Sequence, residues 1–139
     1  VAGRGGGVNL TDPRNDAKVT YSIAEYGQID PLLQPSSAAI GGMVYRQKAI
    51  PRLTNMLLFG DNPSGEIFYV NADNLPKGGQ DAIRRVMFDD KGVAKNLLQL
   101  IKEKKPLATR ADLRFGEGPN GQILILNKRD NTIRLLVAK

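Results

Sequence analysis

The sequence predicts an all-β protein with one helix, and three observations carry that prediction. Short apolar runs alternate with clusters of Gly, Asn, Asp, Pro and Ser, the pattern of strands separated by tight turns. One stretch alone, residues 93–105, has a convincing helical period. The strand and turn order in the middle of the chain also returns near its end.

Residues 1–17 (VAGRGGGVNLTDPRNDA) mix Gly, Asn, Asp and Pro without periodicity and read as a flexible N-terminal segment. Residues 18–24 (KVTYSIA) alternate well enough for one short strand. Residues 28–37 (QIDPLLQPSS) carry two prolines and read as a loop.

Residues 38–46 (AAIGGMVYR) form the next candidate strand, in which the Gly41-Gly42 pair suggests a bulge or a close backbone approach. Residues 55–59 (NMLLF) and 66–71 (EIFYVN) flank the GDNPSG turn and together read as a hairpin. A fourth strand is expected at 83–88 (IRRVMF), closed by the Asp89-Asp90-Lys91-Gly92 turn. In the helical stretch VAKNLLQLIKEKK, Val93, Leu97, Leu100 and Ile101 share one face and Pro106 ends the helix. Strands at 111–115, 122–127 and 132–137, with turns at 116–121 and 128–131, complete the chain.

The blocks MVYR…NMLLFGDNPSGEIFYV and DLRFGEGPNGQILILNKRDNTIRLL thus share one order of strands and turns. Repeated antiparallel units of three or four short strands mark propeller blades, although a meander or a sandwich carries the same signature.

Composition narrows the chemistry. The 139 residues contain no cysteine, which removes disulfides, thiolate nucleophiles and thiolate metal ligands. They contain no histidine, the usual general base near neutral pH and the commonest metal ligand. The net charge of +6 is spread along the chain, and aromatics, at 6%, do not alternate with a basic stripe. Nucleic acid is therefore not an expected partner, and the cations read as a solvated surface. No apolar run reaches the roughly 18 residues of a membrane span. The chain begins on Val1 with no secretion signal, and reads as a processed product or an excised fragment.

The run IGGMVYRQKAIPRLTNMLLFGD, ending at Asp61, and the SGEIFYV that follows it resemble a conserved-looking stretch of glucose/sorbosone dehydrogenase-like propellers. The segment 112–136, DLRFGEGPNGQILILNKRDNTIRLL, is similar to the last blade of the same family, and AEYG before the Gly pair resembles the approach to the preceding one. The likeness spans roughly residues 18–137. It implies the last two blades of a six-bladed propeller with four-stranded antiparallel blades. One blade would cover 38–89, a helical excursion 93–105, and a final blade 110–137, with 19–24 as the outer strand of a blade otherwise missing.

The resemblance further implies a parent enzyme that binds pyrroloquinoline quinone (PQQ) and calcium and oxidises a sugar hydroxyl by hydride transfer to the quinone. The histidine base and most cofactor and calcium ligands belong to the family's earlier blades. The chain is therefore expected to be the C-terminal part of a quinoprotein sugar dehydrogenase, inactive alone. A non-catalytic binding or interaction propeller of the same superfamily is the alternative. The family places the parent in the periplasm or outside the cell. Expected partners are the remaining propeller blades or a second copy of the chain, with sugar as the substrate of the parent.

Two of the family's quinone clamps depart from the pattern. A turn lysine is replaced here by the Asp61-Asn62-Pro63-Ser64 run, and an Arg-Arg-Asp triplet by Thr109-Arg110-Ala111-Asp112. Arg110, Asp112 and Arg114 remain as candidate cofactor-binding residues, with Arg46 at the end of the first inner strand. Arg110 suits an anionic quinone carboxylate through its fork geometry. The competing reading is a structural ion pair between Asp112 and the arginines, and for Arg46 simple packing and solvation. Gly60-Asp61 offers a carboxylate to a metal or sugar, or caps its own turn. Gly116 to Gly121 formally spells G-x-G-x-x-G, but a strand follows where a dinucleotide site needs a helix.

Overall fold

The computed structural model describes residues 18, 20–27, 30–33 and 37–139. The predicted N-terminal segment 1–17 lies outside the described residues, as do Val19, 28–29 and 34–36 of the adjoining predicted strand and loop. The described chain is mostly β, with three antiparallel sheets and one α-helix.

The first sheet runs in chain order through β1 (Ala39–Tyr45), β2 (Met56–Asp61), β3 (Ile67–Asn71) and β4 (Arg84–Val86). Its register shifts between Gly41 and Val44, a bulge at the Gly pair. A Cβ on Gly42 would stand 2.3 Å from the Leu58 carbonyl oxygen, so a side chain is excluded there. β5 (Phe88–Asp90) and β6 (Val93–Lys95) form a separate two-stranded hairpin. The third sheet comprises β7 (Leu113–Glu117), β8 (Ile123–Asn127) and β9 (Thr132–Leu135), again in chain order.

Four expectations need correction. Residues 20–24 do not form a strand. Two backbone bonds, Gly78 N–H to Ile23 O at 2.9 Å and Glu25 N–H to Gly79 O at 2.8 Å, tie this segment to the loop after β3. Gly78 and Gly79 both have positive φ, which turns that loop away before a ladder can grow. The loop expected at 28–37 holds a turn of 3₁₀-helix over Pro31–Leu33.

The expected strand 83–88 is divided. Arg84–Val86 pairs with β3, and Phe88 leaves to pair with Lys95. The expected helix start is also too early. Lys91 and Gly92 take φ of 53° and 88°, a hairpin turn that makes 93–95 a strand. The helix α1 runs over Leu97–Lys104 behind Asn96, whose side chain accepts from Gln99 N while Gln99 Oε1 accepts from Asn96 N. This reciprocal capping fixes the start, and Val93 is left exposed.

The inner faces of the first and third sheets close on each other, with β1 against β7. Leu58 and Ile67 from one sheet meet Leu113, Ile123 and Ile125 from the other, and Leu97 and Ile101 of α1 join the same cluster. Full burial of each Leu or Ile contributes about 1.5–3 kcal/mol. Contact is close enough that a Cβ on Gly60 would lie 2.6 Å from Leu113 Cδ2. The opposite face of the first sheet receives Tyr26, whose ring lies 5.6 Å from that of Phe68.

Candidate functional site

The residues that join the two sheets also hold the candidate site. After β2 the chain turns through Asp61–Ser64, and the approach to β7 runs alongside it. Ala111 N–H donates to the Pro63 carbonyl at 2.7 Å, and Leu113 N–H to the Asn62 carbonyl at 3.1 Å. The Asn62 side chain completes the link by donating from Nδ2 to the Leu113 carbonyl at 2.9 Å. Asn127, at the end of β8, donates to the Ala111 carbonyl and accepts the Arg129 N–H at 2.8 Å. Three backbone segments, 62–63, 111–113 and 127–129, are thereby tied together at Asp112.

Asp112 lies between two guanidinium groups. Arg110 Nε donates to Oδ1 at 2.6 Å, and Arg129 Nε stands 2.5 Å from Oδ2. Arg110 also reaches the Asn62 Oδ1 from Nη2 at 3.0 Å. The Asp112 side chain is 8% exposed, whereas the two arginines are about half exposed. Burial raises the carboxyl's pKa, but the Arg110 hydrogen bond and the charges of Arg110 and Arg129 outweigh it and hold it below the ordinary carboxylate range. Asp112 has a φ of 55°, so the extended backbone of β7 begins only at Leu113. The strand expected at 111–115 therefore begins two residues later, and Ala111 and Asp112 belong to the approach to it.

The candidates do not converge as one group. Arg110 and Asp112 are bonded to each other, and Arg114 lies on β7 one residue beyond Leu113, donating to the Leu113 carbonyl at 2.7 Å. Asp112, Arg114, Lys128, Leu126 and Ile133 line an open depression of about 460 Å³. Arg46 is elsewhere. It follows β1 where Tyr45 pairs with Met56, the opposite end of β2 from Asp61 and Asn62. Five residues of strand place it roughly 17 Å away along β2. There it donates to Asp73 at 2.7 Å and Asn55 at 3.1 Å, in solvent.

Asp61 is a turn cap. Its Oδ1 accepts the Ala38 N–H at 2.6 Å, and its Oδ2 accepts the Ser64 N–H and hydroxyl at 3.0 and 2.7 Å. Among the described residues no three Asp, Glu, His or Cys side chains gather as a metal site. No family model matches the chain, and no curated protein or solved structure matches it either.

For a calcium ion the cluster is a poor fit, because its one carboxylate is already shared by two cations. An anionic group fits better: Arg114 and Lys128 flank the depression without a carboxylate partner among the described residues, above the apolar Leu126 and Ile133. Lys128, Arg129, Asn62 and Asn127 escaped the sequence reading, since nothing local marks contacts made across the fold.

Proposed function

We propose that this chain is the C-terminal part of a quinoprotein sugar dehydrogenase of the glucose/sorbosone type, supplying two β-propeller blades and at most one wall of the PQQ site. The observation that carries the reading is the stacking of two antiparallel sheets, each in simple chain order, with their first strands β1 and β7 in contact. Those sheets fall on the two segments that resemble the family's last blades. Face-to-face stacking of such sheets supports this reading, because propeller blades pack in that way around a central line of first strands.

Within that reading Arg114 and Lys128 would face the cofactor's carboxylates, and Arg110 and Arg129 would fix Asp112 behind them. The bound quinone would accept the hydride, and calcium would be held by the earlier blades. The residues of this chain bind and orient, and carry no proton to or from the substrate. The remaining blades would cover the open face of the third sheet, and the family's periplasmic or secreted location would apply to the parent.

A non-catalytic interaction propeller is the second reading, favoured by the engagement of Arg110 with Asp112 and Asn62 rather than with the open depression. Assay of the 139-residue chain with PQQ, calcium, an aldose and a dye acceptor should give no turnover; turnover would overthrow the proposal. Titration of PQQ separates the two readings. Weak binding that falls on Arg114→Gln or Lys128→Gln supports the quinoprotein, whereas binding unchanged by either supports the interaction module.

A further inference from the structure

The turn after α1 carries the most exposed large apolar side chain among the described residues. Leu107 is 94% exposed, whereas Ile133 and Val137 come next at 66%. Its backbone is well held. Lys105 N–H donates to the Ile101 carbonyl and Ala108 N–H to the Lys105 carbonyl, both at 2.9 Å. The second bond closes a β-turn with Pro106 and Leu107 at its tip, and proline suits the first tip position. Leu107 is thus presented to solvent on a fixed backbone, while Ala108 packs against the core.

A lone exposed leucine is ordinary; the surroundings of this one are not. Lys104 Nζ lies 3.4 Å from Thr132 Oγ1, which brings the end of α1 to the turn between β8 and β9. Arg110 and Arg129 share Asp112, which returns the chain to that same turn. Leu107 is three residues from both Lys104 and Arg110, so its Cα lies within roughly 11 Å of each. Lys104, Lys105, Arg110 and Arg129 are all exposed. The sequence scatters these cations; the fold gathers them around Leu107.

The nearby acids do not cancel them. Asp112 is divided between two arginines, Asp130 is paired with Arg134, and Glu103 with Lys95. Lys104 and Lys105 have no carboxylate partner among the described residues. Lysines at a helix C-terminus complement its dipole, but this explains neither Leu107 nor the arginines beyond it. Residues 104–110 and 128–132 include no aromatic on which a base could stack. A protruding apolar tip ringed by cations suits a flat anionic surface with an apolar interior.

We propose that this turn docks the protein on an anionic lipid surface, with Leu107 entering the apolar boundary and Lys104, Lys105, Arg110 and Arg129 meeting the headgroups. The proposal rests on α1 and the turn after it and is independent of quinone chemistry. The test is flotation of the full chain with vesicles of phosphatidylcholine, alone or mixed with phosphatidylglycerol. The mixed vesicles should carry the chain, less so as salt rises, and phosphatidylcholine alone should not.

Lys105→Gln should weaken binding roughly fivefold, the worth of one basic residue near such a surface. Leu107→Ser keeps the charge and should weaken it roughly tenfold, since the apolar contact is lost. Both positions are exposed, so the urea midpoint should not move. Absence of binding to the mixed vesicles would overturn the proposal, as would equal binding to phosphatidylcholine alone or indifference to either substitution. Vesicle binding unchanged in Leu107→Ser, together with tight binding of a single-stranded oligonucleotide, would overturn it in favour of nucleic acid.

Discussion

Glu66 and Arg85 meet in a two-point ion pair, with Nε to Oε2 at 2.5 Å and Nη2 to Oε1 at 2.6 Å, around a carboxylate that is 1% exposed. Asn96 Nδ2 adds a third bond to Oε1 at 2.7 Å, which ties the start of α1 to the first sheet. Removing one partner of a buried pair costs more than the pair contributes, because the remaining charge stays buried. Arg85→Met should therefore cost about 3 kcal/mol in urea unfolding, and adding Glu66→Gln should recover much of that loss. A double mutant no more stable than Arg85→Met would contradict this account.

Asp112 and Asp130 give the chain a signed pH dependence. Both carboxyls are held below the ordinary range in the fold; burial opposes this, and the arginine hydrogen bonds and charges prevail. A depressed folded pKa adds stability that is present above the unfolded value, about 4, and is lost as pH falls through the folded value. The urea midpoint should fall progressively below about pH 5. Asp112→Asn should flatten that fall while keeping the backbone, since Asn tolerates the positive φ at this position.

The β5–β6 turn is improvable. Lys91 holds a φ of 53°, and Gly92 follows at 88°. Asn-Gly is the preferred pair for such a hairpin turn. Lys91→Asn should raise the thermal midpoint modestly, and Lys91→Val should lower it by the strain of a β-branched residue at positive φ. Equal midpoints for the two variants would exclude the turn as their determinant.

Tyr26 packs its ring on Phe68, yet its buried hydroxyl has no hydrogen-bond partner among the described residues. Burial, with the negative Asp61 nearby, pushes the phenol up to about 12. Tyr26→Phe keeps the ring and removes an unsatisfied hydroxyl, so stability should rise by about 1 kcal/mol in the same urea assay. A loss of that size would reveal a partner for the hydroxyl.

Local pattern made the strands legible and left the site largely hidden. Alternation and turn residues located β1 to β3 and β7 to β9 within a few positions, because apolar faces and glycine turns are local signals. The start of α1 was misread because Val93 fits the helical period, whereas the Lys91-Gly92 turn and the Asn96 cap decide the backbone. Of the candidate residues, Arg110 and Asp112 were found together, but Arg129 and Asn62 were not. Asn62 and Leu113 are 51 residues apart, and no spacing rule announces their bond.

The bonds from Pro63 and Asn62 to Ala111 and Leu113 make the two sheets interdependent in assembly. A chain divided in the link between α1 and β7 would yield halves that each carry complete hairpins but only one side of this seam. Neither half buries its inner sheet face alone, so each should remain loosely structured until the other is supplied. Mixing them should restore the slow amide exchange of Ala111 and Leu113, a direct readout of reassembly.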